Sequence, residues 1–126
     1  MVYVLADNII SPLGDTSEDN YQVVKAGKSA IRAYAPMTDG IPDGFIASLM
    51  SADFDDLVFR SASKAIEASG INVADDRSVF ILSSTKGAIE GLGKGADENL
   101  YLGETAQRIA TRLGFTTRPV VVCNAC

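Results

Sequence analysis

The sequence predicts an α/β domain built on a mainly parallel sheet. Three observations carry that prediction. Strand-like and helix-like stretches alternate along the chain. The stretch "SVFILSS", residues 78–84, is almost wholly apolar between polar flanks, the pattern of a strand covered on both faces. The run "PVVV", residues 119–122, repeats that pattern after an amphipathic helix. At 126 residues the chain suffices for one domain, and 47% apolar with 21% charged residues is an ordinary globular balance.

Each element has its own signal. Residues 2–10 are rich in Val, Ile, Leu and Tyr and read as a strand that ends at the turn "SPLGD". Thr16 with Asp19 makes a helix-start pair, and Gly27 gives the stop, so a short helix lies between them. Residues 33–43, with Pro36, Gly40 and Pro42, read as loop, and "FIASLM", residues 45–50, as a short strand. The longest helix is expected over "FDDLVFRSASKAIEAS", residues 54–69. Leu57, Val58, Ala62, Ala65 and Ile66 share one face, and Gly70 closes it. After the apolar strand comes a glycine-dotted stretch, residues 87–103. "LGETAQRIATRLG" then puts Leu102, Ala106, Ile109, Ala110 and Leu113 on one stripe, with Glu104 early and Arg108 and Arg112 late, as the helix dipole prefers.

Composition excludes several classes. A net charge of −5 argues against a nucleic-acid partner, which needs a basic face. No apolar run approaches the ~20 residues of a membrane helix. The start "MVYVLADNII" lacks the basic region and cleavage site of a secretory leader, so a cytoplasmic protein is expected. The chain has no histidine, which removes the commonest general base and the commonest zinc ligand.

Most local motifs read as structure. "GAIEGLGKGAD" fails the phosphate-loop pattern at two positions, because Gly93-Lys94 is followed by Gly95 and Ala88 stands where the first glycine belongs. Asp53, Asp55 and Asp56 read as the solvated start of a helix, where negative charge is favourable without a metal. Asp75-Asp76 before the apolar strand reads the same way. Cys123-x-x-Cys126 is a true CxxC with three readings open. It is a redox pair, half of a zinc site that lacks two further ligands, or one nucleophile on a strand-to-helix turn beside a small core cysteine.

Four segments, taken together and in order, resemble the β-ketoacyl synthases, condensing enzymes with the thiolase fold. These are "IISPLGD" after a first strand, "KAGKSAIRAY", "AIEASGI" followed by "DDRSVFILSSTKGAIE", and "LGETAQRIATRLGFTTRPVVVCNAC" leading into the active-site turn. The resemblance covers nearly the whole chain. It implies a thiolase-like N-terminal half, a mainly parallel sheet with helices on both faces, incomplete and spanning residues 1–126. Cys126 matches the nucleophilic cysteine, which accepts an acyl group as a thioester before condensation with malonyl on acyl carrier protein. No cofactor and no metal are implied.

The resemblance carries further expectations. The two catalytic histidines and a later lysine of the family lie beyond the nucleophile, in keeping with a chain cut at Cys126 and inactive alone. Apolar strand faces that the second half would cover are expected to be exposed and to drive self-association. The partners implied are acyl carrier protein and either a second copy or a paired condensing-enzyme subunit. Asn124 stands where the family commonly has Thr. The acidic "SADFDD" departs from the basic surface that docks the carrier in many relatives, which puts carrier docking at Arg60 and Lys64 in doubt. Two other classes stay open: a small CxxC redox or metal-binding module, and a non-catalytic interaction domain, including a thiolase-fold partner whose nucleophile is usually replaced.

Overall fold

The computed structural model describes residues 1–36, 44–92 and 100–123. It is a mixed α/β chain in two compact units. One comprises Asn8–Ser51; the other comprises the described residues of Met1–Asp7 and Ala52–Cys126.

The unit of Asn8–Ser51 is organised by polar chemistry. Helix α1, Ser17–Lys25, starts where Thr16 accepts a hydrogen bond from the Asp19 amide at 3.0 Å. That satisfies one of the amides a helix start leaves orphaned. Among the described residues of this unit only Asn20, on α1, is buried, at 8% exposure. Its amide nitrogen donates to the carbonyls of Ile9, Gly14 and Thr16 at 3.0, 2.9 and 2.7 Å. Its carbonyl accepts from the Ser11 hydroxyl. The predicted turn at residues 11–15 is therefore tied to α1, with Ser11 and Gly14 forming a lone antiparallel bridge. Strands β1, Arg32–Tyr34, and β2, Phe45–Ala47, pair antiparallel, with Tyr34 stacked on Phe45 at 5.3 Å between ring centroids. The start of the expected loop is thus a strand, because an aromatic cross-strand pair supplies what three residues of propensity do not. The prolines and glycine at 37–43 lie outside the described residues.

In the other unit, helix α2 spans Phe54–Ser69, the range that its signals mark. The Asp53 side chain caps it by accepting from the Asp56 amide at 2.9 Å, and Gly70 ends it in the left-handed conformation. Strand β3, Ile81–Ser83, pairs with β4, Val120–Val122, in parallel, with Ile81 opposite Val120 and Ser83 opposite Val122. Helix α3, Leu102–Leu113, lies between them in sequence and packs on both β4 and α2. Thr105, Ala106, Ile109 and Ala110 give α3 a buried ridge, and Leu82 faces the same core. Phe80 meets Phe115 at 5.8 Å, and the Thr117 hydroxyl donates to the Ser78 carbonyl, which fixes how β4 enters beside β3.

Two expectations fail here. Residues 2–10 form no strand: Met1, Val2, Tyr3, Val4 and Leu5 are 67–103% exposed, and no described strand pairs with them. Apolar, β-branched sequence makes a strand only when a partner completes its hydrogen bonds. The β3–β4 pair is also not covered on both faces. Leu82 is buried at 5%, whereas Val79, Ile81, Val120 and Val122 stand 46–57% exposed on the opposite face. Among the described residues the strands make one parallel and one antiparallel pair.

Candidate functional site

Parallel pairing sets the carboxyl ends of β3 and β4 side by side. The Val120 amide donates to the Phe80 carbonyl at 2.9 Å, and the Ser84 amide donates to the Val122 carbonyl at 3.3 Å. The residues that leave the two strands therefore share one rim: Ser84 to Gly87 after β3, and Cys123 after β4. In open α/β sheets this rim is where ligands and reactive groups collect.

The β3 side of the rim is a tight turn. The Ser84 hydroxyl accepts from the amides of Gly87 at 2.9 Å and Lys86 at 3.4 Å. Gly87 sits at φ +61°, and a Cβ there would lie 2.6 Å from the Leu102 side chain. Both the conformation and the space call for glycine. A single 3-10 turn, Ile89–Gly91, follows, and the Glu90 carboxylate accepts from the Phe54 amide at 2.8 Å, fastening this loop to the start of α2. A largely apolar groove of about 430 Å³ opens beside the turn, lined by Thr85, Lys86, Ile89, Leu92, Leu100 and Tyr101. The sequence marks this place as "SSTKG" directly after an apolar strand. The phosphate-loop candidates Gly93, Lys94 and Gly95 lie outside the described residues.

On the β4 side, Cys123 is a free, exposed thiol. It is not the buried core cysteine that its residue type suggests, because it stands one step past the last paired residue of β4. Cys126 lies outside the described residues.

The acidic cluster is structural. Asp53 caps α2, while Asp55 and Asp56 reach across to α3. Arg108 donates to Asp55 from two nitrogens at 3.0 and 2.8 Å, and Arg112 donates to Asp56 at 3.3 Å. The Arg112 guanidinium also lies 3.6 Å from the centre of the Phe59 ring. These arginines were predicted from the dipole of their own helix; their pairing with α2 is a non-local consequence of helix packing. Arg60 points one turn back toward Asp56, at 3.9 Å. Among the described residues no group of three or more acidic or cysteine side chains stands close enough to hold a metal ion. Asp75, in the turn before β3, accepts from the Arg77 side chain and amide, and these hydrogen bonds hold its carboxyl below its ordinary pKa.

Among the described residues no helix is long and apolar enough to cross a membrane. No family model, curated protein or solved structure matches the chain.

Proposed function

We propose that this chain forms the first part of a β-ketoacyl-[acyl carrier protein] synthase of thiolase-like fold, and that Cys126 is its nucleophile. The observation that carries the reading is the parallel β3–α3–β4 unit. It brings Cys123, the first residue of "CNAC", off the carboxyl end of β4, at the rim where the Ser84–Gly87 turn leaves β3.

The chemistry follows from that position. A thiolate attacks the carbonyl carbon of an acyl thioester on acyl carrier protein, the carrier thiol leaves, and the acyl group rests on the cysteine. A malonyl thioester then loses carbon dioxide, and the resulting carbanion attacks the acyl-cysteine. The thiolate is released, and a β-ketoacyl thioester two carbons longer remains on the carrier. Amides at a turn after the strand are suited to the oxyanion of each tetrahedral intermediate. The chain holds no histidine, so what it contributes is the acyl-accepting thiol, which works only with the residues of the whole enzyme.

Mass spectrometry of a full-length enzyme that contains this chain, after incubation with an acylated carrier protein, tests this. The expected result is one acyl group on Cys126, lost in Cys126→Ser and retained in Cys123→Ser. Acylation at Cys123, stoichiometric zinc, or a reversible Cys123–Cys126 disulfide in its place would overturn the reading and favour the redox or metal-binding module.

A further inference from the structure

The loop that leaves β3 is gripped from two sides. On one side are leucines at the start of α3. A Cβ added at Gly87 would lie 2.6 Å from the Leu102 side chain, and one added at Gly91 would lie 2.6 Å from the Leu100 side chain, so the loop backbone runs directly against both. Ala88, between the two glycines, is buried at 8%. On the other side is the start of α2. The Glu90 carboxylate accepts from the Phe54 amide at 2.8 Å, across 36 residues of sequence. Phe54 opens α2, so its amide is one of those that a helix start leaves orphaned, and a carboxylate there also meets the favourable end of the helix dipole. The helix does not need Glu90 to begin, since Asp53 already caps it at Asp56. Among the described residues, no other hydrogen bond joins residues 85–92 to a helix or strand. The apolar grip of the leucines has no direction; the Glu90 bond has one.

The other end of this loop reaches the cysteine. The Ser84 hydroxyl accepts from the Gly87 amide at 2.9 Å, and the Ser84 amide donates at 3.3 Å to the carbonyl of Val122, the residue before Cys123. We infer that Glu90 is a positioning residue. Its bond to Phe54 fixes the loop, and through Ser84 the loop fixes where the chain leaves β4 for "CNAC". Glu90 acts through the turn and not on the reacting atoms. The consequence for acyl loading rests on the condensing-enzyme reading; the latch itself does not.

Hydrogen exchange and acyl loading, both on a full-length enzyme that contains this chain, test the proposal. Glu90→Ala should speed exchange of the Phe54 and Gly87 amides about fivefold or more, the loss of one net hydrogen bond. It should slow the loading step from an acylated carrier about tenfold with KM unchanged, given that ~1 Å of misplacement costs about a hundredfold. Glu90→Gln keeps an acceptor oxygen at the same reach and should restore both. Glu67→Ala removes an exposed carboxylate further along α2 and should change neither. Unchanged exchange in Glu90→Ala, a glutamine variant that behaves like alanine, or faster exchange with an unchanged loading rate would overturn the proposal. A wild-type enzyme that takes up no acyl group overturns the condensing-enzyme reading, and the part of Glu90 in loading with it. Faster exchange in Glu90→Ala would then mark the failure as one of the chemistry and not of the latch.

Discussion

Replacing Asn20 by alanine should unravel the local order of residues 9–20 while leaving the β3–β4 unit folded. The side chain is 8% exposed and supplies donors to three backbone carbonyls and an acceptor to the Ser11 hydroxyl. A net hydrogen bond is worth about 1 kcal/mol, and a buried group left unpaired costs about 1–3 kcal/mol. Alanine returns about 0.5 kcal/mol through its better helix propensity. The expected loss is therefore about 2–3 kcal/mol. Read by amide hydrogen exchange, that is a thirty- to hundredfold faster opening at the Ser11 and Gly14 amides, at ~1.4 kcal/mol per decade. Asn20→Asp sharpens the test. It keeps the shape but turns a carboxylate oxygen toward three carbonyls, so its folded-state pKa rises above the unfolded value. The penalty should be smallest below about pH 3.9 and grow as pH rises until the folded carboxyl ionises. A change under about 0.5 kcal/mol in Asn20→Ala, or a pH-independent Asn20→Asp, would refute the view that this amide organises the unit.

Three other outcomes are expected. Ile109→Ala removes one of the largest fully buried side chains and should cost about 2–4 kcal/mol in urea unfolding. Gly87→Ala should cost about 1–2 kcal/mol, mostly from its left-handed backbone, since the Leu102 tip it would strike can turn aside. Arg77→Ala should raise the Asp75 pKa toward its ordinary value in a carboxyl-carbon NMR titration. Because that pKa is lowered in the folded chain, the stabilisation it brings is present above the unfolded carboxylate pKa and is lost as pH falls through the lowered one.

What the sequence makes legible is whatever is decided within a few residues. Helix α2 runs between its Asp53 cap and Gly70, and α1 begins at Thr16, because caps and stops are local chemistry. The buried ridge of α3 follows from its 3.6-residue stripe. The strands were less legible because a strand is defined by a distant partner. Residues 2–5 have the right composition and no strand partner among the described residues, while Arg32–Tyr34 have little composition and gain one in Phe45–Ala47. At the candidate site, the Ser84–Gly87 turn and the strand leading to "CNAC" were visible in the letters. The exposure of Cys123 and the Asp55–Arg108 and Asp56–Arg112 ties were not, since they depend on where β4 ends and on how α3 lies against α2.

Every described side chain of at most 1% exposure belongs to two successive turns of α3. The larger unit thus has a single keystone. Loosening α3 would wet its whole buried ridge at once. Slow amide exchange in β3 and β4 should therefore report the lifetime of that one helix on its seat, and a protease should reach the backbone of α3 itself only as often as that helix lifts away.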